Sequence, residues 1–256
     1  MSEPLLKIKH LSVDFKGFQV IDDIGLNINE GELRVIIGPN GAGKTTLMDM
    51  ITGKTKPTAG KIMIAGENIT KKDPSVISSK YKICRKFQGP NVFDNMTVYD
   101  NILMSISGHS TVWKTLTFRK TKKVETRIQE ILGFINLSEE QEILAVNLSH
   151  GQRQWLEIGM VMAQDARLIV LDEPTAGMTA SETYKTGELI LKLKATGKHT
   201  MIVIEHDMDF VKQIAETITV LYQGGFLAEG TYDEIEKNPK VVQVYLKDSE
   251  DDEKPS

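Results

Sequence analysis

The stretch RVIIGPNGAGKTTLMDMITG, residues 34–53, decides the fold. Residues 35–37 form a short apolar strand, and residues 38–45 fit G-x-x-x-x-G-K-[ST] in full. A helical pattern then runs to Gly53, which serves as a C-cap. Gly41 and Gly43 let the backbone turn its N–H groups inward as a nest for phosphate oxygens. Gly38, Asn40 and Ala42 complete that loop, and Thr46 follows in the first helical turn. Lys44 can bridge β and γ phosphates, and the Thr45 hydroxyl can ligate Mg²⁺. The alternative, a glycine-rich turn with no ligand, lacks a reason for this strand–loop–helix context. The loop points to a nucleoside triphosphate without saying what is done with it, since kinases and motors share it.

Two further apolar runs end in acidic or histidine residues. In RLIVLDEPTAG, residues 168–171 read as a strand buried on both faces of a parallel sheet. Asp172 then stands at the carboxyl end, where α/β sheets place ligands, and can hold Mg²⁺ through water. Glu173 can polarise an attacking water as general base. In TMIVIEHDMDF, residues 201–204 form another strand ending in Glu205, His206 and Asp207. A lone histidine at a strand end is more often structural. Here equal strand polarity puts both tips on one sheet edge, where His206 could donate to a γ-phosphate or position water.

NLSHGQRQWLEIGM, residues 147–160, reads as a helix opened by a capping box. Ser149 would accept from the Gln152 N–H while the Gln152 side chain reaches back. A helix N-terminus is also an anion site, so the same residues can serve a second surface.

Composition narrows the class. The chain has 256 residues, 40% hydrophobic, and a formal net charge of −4 that argues mildly against nucleic acid as main partner. A single cysteine, Cys84, forms no internal disulfide. MSEPLLKIKH lacks an apolar leader, and no run of eighteen apolar residues exists. These features predict a soluble cytoplasmic protein.

The phosphate loop, Gln88 in RKFQGPNVF, LSHGQ, LIVLDEP and His206 occur in the order found in ATP-binding cassette (ABC) ATPases, which the whole chain resembles. That resemblance implies ATP with Mg²⁺. It also implies that Ser149, the Gly151 N–H and Gln152 meet the γ-phosphate held by another subunit. Gln88 matches the family's switch glutamine, which senses Mg²⁺ and attacking water and connects to the membrane subunit. Phe15 lies where the family stacks an aromatic on adenine; Phe18 competes for that place, and a plain core role is open to either. His150 replaces the usual first signature glycine and would bring bulk toward the nucleotide. Thr179 stands where many relatives have aspartate in the loop linking the two sites.

With one phosphate loop, the second half must come from a copy of this chain or from a related ATPase. The other implied partners are transmembrane permeases and, indirectly, a secreted substrate-binding protein. The implied location is cytoplasmic, peripheral on the inner face of the cell membrane. The basic segment 107–126, with Trp113 and Phe118, reads as a solvated surface or as a contact with the membrane partner or anionic lipid heads. Together with the ending LAEGTYDEIEKNPKVVQVYL it resembles ATPases of the branched-chain amino-acid and amide uptake group. LSHGQRQWLEIGM, EPTAGMT and TGELI are similar, closer still, to the D-type ATP-binding subunit of urea importers. The expected function is thus an ATPase energising import of urea or a short amide. The alternatives are branched-chain amino acids and a non-transport clamp.

The expected architecture is an α/β P-loop NTPase, a RecA-like parallel core with an antiparallel β subdomain and a helical subdomain. Segments 5–15, 20–28 and 61–64 read as the antiparallel strands, and VLYQGGFLA as a hairpin turning at Gly224 and Gly225. Residues 1–89 and 165–247 would form the core with the β subdomain, 90–164 the helical subdomain, and 248–256 a disordered acidic tail.

Overall fold

The computed structural model describes residues 3–86, 92–107 and 121–252. Gln88, Trp113 and Phe118 lie outside the described residues. Strand β1 (Leu6–Phe15) alternates inward apolar and outward polar residues, the pattern of a half-buried strand. It pairs antiparallel with β2 (Phe18–Ile28) and with β4 (Ala59–Ile64), which pairs in turn with β5 (Glu67–Asn68).

The second sheet is the scaffold of the site. Among the described residues its order is β10-β9-β3-β8-β7-β6, with β3 Leu33–Ile37, β6 Ile83–Lys86, β7 Leu168–Asp172, β8 Thr200–Ile204, β9 Thr217–Tyr222 and β10 Gly225–Gly230. All neighbours are parallel except the β9–β10 hairpin. Every residue of β3, β7 and β8 is buried, which is why they read as continuous apolar runs.

The pleat sends successive side chains to opposite faces. Leu33, Val35, Ile37, Ile169, Leu171, Met201 and Val203 join one core. Ile36, Leu168, Val170, Ile202 and Ile204 join the other. The first core is filled by α3 (Val98–Ser107), α4 (Lys122–Phe134), α5 (His150–Ala163) and α6 (Ala180–Ala195). The second holds α1 (Lys44–Ile51), α2 (Pro74–Tyr81) and the inward face of the antiparallel sheet. Each fully buried Leu or Ile contributes roughly 1.5–3 kcal/mol, so the central strands are held from both sides. A short helix, α7 (Met208–Ile214), links β8 to β9, and α8 (Tyr232–Glu236) and α9 (Pro239–Asp252) follow β10. No helix among the described residues is long and apolar enough to cross a membrane.

Two features depart from expectation. Strand β6, ICRK, was not legible because its two cations interrupt any apolar run. The hairpin turns one residue earlier than Gly224 and Gly225. Gln223 (φ 47°) and Gly224 (φ 77°) are its central residues, and Tyr222 pairs with Gly225. A two-residue hairpin turn of this type needs positive φ at both centres. Helix α9 runs through Asp252, into the acidic stretch at the end of the sequence.

Candidate active site at the strand ends

The phosphate loop leaves β3 at Gly38, whose φ is 154°. A Cβ there would lie 2.1 Å from the Leu221 carbonyl oxygen, so only glycine lets the loop pass β9. At Gly43 (φ 102°) a Cβ would lie 2.6 Å from Ile21 Cδ1 and 3.1 Å from Val20 O. Glycine there lets α1 begin tight against β2. Ala42 is buried and accepts from Gly224 N (3.1 Å), which ties the loop to the β9–β10 turn. Asn40, Gly41 and Thr45 are exposed, and Gly43, Lys44 and Thr46 are half-buried. Lys44 Nζ donates to Gly38 O (2.5 Å) and Pro39 O (2.9 Å), arching back over the loop. A cation above the first N–H groups of a helix is suited to a polyphosphate.

Strand register sets the other tips in line. Ile36, Ile204 and Asp172 share one row across β3, β8 and β7. Asp172 is 4% exposed, and its Oδ2 accepts from Arg85 (2.7 Å) on neighbouring β6. The same guanidinium pairs with Asp49 of α1. Sequence reasoning missed Arg85. The available signal was a lone arginine inside a strand beside Asp172. Removing one partner of a buried ion pair costs about 3–5 kcal/mol, because the remaining charge stays buried. Arg85→Met is therefore expected to lower the urea unfolding midpoint strongly. An unchanged midpoint would show that the two aspartates are not held by Arg85.

Glu173 has φ 46°, a left-handed conformation unusual for a residue with a side chain. Its N–H donates to Ile204 O (3.0 Å), and its carbonyl accepts from Ala176 N (3.2 Å). Its Oε1 stands 3.8 Å from His206 Nδ1, beyond hydrogen-bond length, with His206 66% exposed. Asp207 turns away and caps α7, accepting from Asp209 N (3.0 Å) and Phe210 N (3.1 Å).

The capping box at α5 is present. Gln152 N donates to Ser149 Oγ (3.2 Å) and Ser149 N donates to Gln152 Oε1 (3.0 Å). Glu182 of α6 lies over this helix start. Its Oε1 accepts from Ser149 Oγ (3.4 Å), and a Cβ on Gly151 would come within 2.5 Å of the same atom. Thr179 caps α6 through Glu182, so the departure from aspartate has a local structural role. The Thr179 N–H and hydroxyl, then the Ser149 hydroxyl and Gly151 N–H, hold the Glu182 carboxyl below its ordinary range. His150 does not reach toward a nucleotide within its own chain. Its Nε2 donates to Ala176 O (2.8 Å), in the loop after Glu173. The hydrogen bonds of Ser149 and His150 thus go to Gln152, Arg153, Glu182, Ala176 and Gln154, none of them to residues 38–45.

Phe15 (48% exposed) and Phe18 (74%) face each other across the Lys16–Gly17 turn of the β1–β2 hairpin, which excludes a core role for both. Among the described residues no group of three or more His, Cys, Asp or Glu side chains could hold a metal alone. Thr45 and Asp172 are oxygen donors of the kind Mg²⁺ takes when phosphates and water complete its shell.

A parallel sheet with a lysine-bearing phosphate loop on its central strand, and carboxylates on adjacent tips, defines a P-loop nucleoside triphosphatase. The chain belongs to the ABC transporter family, whose model matches residues 21–176. It is an ATP-binding, ABC-type ATPase. It is 36% identical to the high-affinity branched-chain amino acid transport ATP-binding protein BraF of Pseudomonas aeruginosa, over 96% of this chain and 99% of the relative. It is also 36% identical to the LivG protein of the same description from Salmonella typhimurium, with the same coverage. Among solved structures it is similar to the ADP conformation of an ATP-binding cassette of an ABC transporter. The TM-score is 0.84 at 32% identity, covering 96% of this chain and 99% of that one. A nucleotide-free ATP-binding cassette gives 0.82 at 32%, with 94% and 98% covered.

Proposed function

We propose that this chain is the ATP-hydrolysing subunit of a membrane importer, working as one half of a two-ATPase sandwich. The observation that carries the reading is the alignment of the phosphate loop, Asp172, Glu173 and His206 along one sheet edge. Lys44 and the 38–45 backbone bind the phosphates, and Phe15 stacks on adenine with Phe18 beside it. Asp172 and Thr45, with Gln88, hold Mg²⁺, which neutralises phosphate charge when bound. Glu173 accepts a proton from the attacking water, while His206 contacts the γ-phosphate. Ser149, Gly151 and Gln152 serve the partner's nucleotide in trans, since their own hydrogen bonds do not reach the loop at 38–45. Residues 1–89 and 165–247 act as the catalytic core, and 90–164 as the helical part that meets transmembrane permeases at the inner face of the membrane.

For the cargo, similarity to BraF and LivG favours branched-chain amino acids over urea. Urea or a short amide stays as a second reading because LSHGQRQWLEIGM and EPTAGMT carry His150 and Thr179. The intact transporter, purified and reconstituted, tests both. It is expected to contain a second, different ABC ATPase by mass spectrometry and to take up labelled leucine in preference to urea. Two copies of this chain with no second ATPase would refute the heterodimer. Uptake of urea without leucine would reverse the cargo.

A further inference from the structure

We propose that Glu205 is a positioning residue for ATP hydrolysis, clamping the Glu173 turn to the His206 strand end and so setting the separation of those two groups. The proposal rests on the reading of Glu173 and His206 as the hydrolytic pair. Glu205 is 1% exposed and follows directly on β8. Its backbone N–H donates to Ile36 O (3.3 Å), which fixes the root of the side chain to the central strand.

The carboxylate then spans two loops. Oε1 accepts from the Thr175 hydroxyl (2.6 Å) and the Thr175 N–H (3.2 Å). Oε2 accepts from the His206 N–H (3.1 Å) and lies 3.9 Å from His206 Nδ1. Thr175 sits two residues beyond Glu173, so a single buried group touches the chain on both sides of the gap between Glu173 and His206.

The contact serves the site in two ways. A left-handed glutamate persists only where its surroundings over-determine it, and such strain collects at functional sites. At Glu173 the constraint comes from its own N–H on Ile204 O and from Thr175 held by Glu205. Secondly, a buried carboxylate is costly unless donors surround it, and an apolar side chain fills such a space at lower cost. Retaining a carboxylate here makes sense if its three donors belong to loops that must stay in register.

The test uses the purified intact transporter and measures ATPase rate against ATP concentration. Glu205→Gln can still accept from Thr175, but its amide N–H meets the His206 N–H donor to donor. A shift near 1 Å costs on the order of a hundredfold, so kcat is expected to fall by about ten- to a hundredfold while KM for ATP moves by less than about threefold. Thr175→Val should lose a comparable share of kcat, and Thr175→Ser, which keeps the hydroxyl, should restore it. Glu173→Gln and His206→Ala run alongside. Normal rates in those two would sink the hydrolytic assignment itself. If they are impaired while Glu205→Gln keeps its kcat, the clamp is overturned. If Glu205→Gln does not fold, the Thr175 pair decides: loss in Val with recovery in Ser supports the clamp, and equal rates overturn it.

Discussion

Glu173→Gln is expected to slow ATP hydrolysis on the order of a hundredfold or more while leaving ATP binding intact. Glutamine keeps the size of the side chain and its hydrogen-bonding shape but cannot take a proton from water. The left-handed backbone should survive the change, since it is held by the Glu173 N–H on Ile204 O and by Thr175 on Glu205, not by the carboxylate. Lys44, Thr45 and Asp172 are untouched, so the phosphates keep their contacts. Phosphate release measured beside equilibrium ATP binding separates the two effects. Hydrolysis at the normal rate would show that Glu173 is not the base.

Lys44→Ala is expected to abolish useful nucleotide binding. The Lys44 ammonium arches over the loop to the Gly38 and Pro39 carbonyls, which sets it above the backbone proposed to cradle the phosphates. Alanine leaves the N–H nest in place but removes the charge and the donor. Hydrogen bonds to charged groups contribute about 1.5–3 kcal/mol, a loss of roughly one to two orders of magnitude in affinity per contact removed. Titration with a fluorescent ATP analogue measures it directly. Unchanged affinity would contradict the assignment of the loop. Unlike Arg85→Met, this substitution should leave stability nearly intact, because Lys44 is only half-buried.

The parallel core was legible because β3, β7 and β8 are buried on both faces and must be apolar throughout. The antiparallel strands showed through alternation, and the α5 start through its capping box. What stayed hidden depends on pairing across the fold. Among the described residues β6 is an edge strand, and its buried Arg85 pairs with both Asp172 and Asp49. Glu205 reads as one more charge at a strand tip, and its burial follows from Thr175 folding back over it. His150 reads as bulk near another subunit's nucleotide; its bond to Ala176 within the chain was hidden because it requires knowing that the loop after Glu173 passes the α5 start. Cargo is the least legible property, since the roles proposed for the residues of this site involve phosphate and water whatever is transported.

The central claim is that the site is completed by another ATPase subunit through the Ser149 helix. Light-scattering chromatography of Glu173→Gln with ATP and Mg²⁺ tests it, on this chain alone and with the ATPase that co-purifies with it. The account predicts an ATP-dependent pair for Glu173→Gln, because ATP is bound and not consumed. It predicts separate subunits once Ser149→Arg is added, since a bulky side chain then enters the phosphate contact. If the double variant pairs as tightly as Glu173→Gln, the Ser149 helix is only a capped helix and the nucleotide site is complete without it.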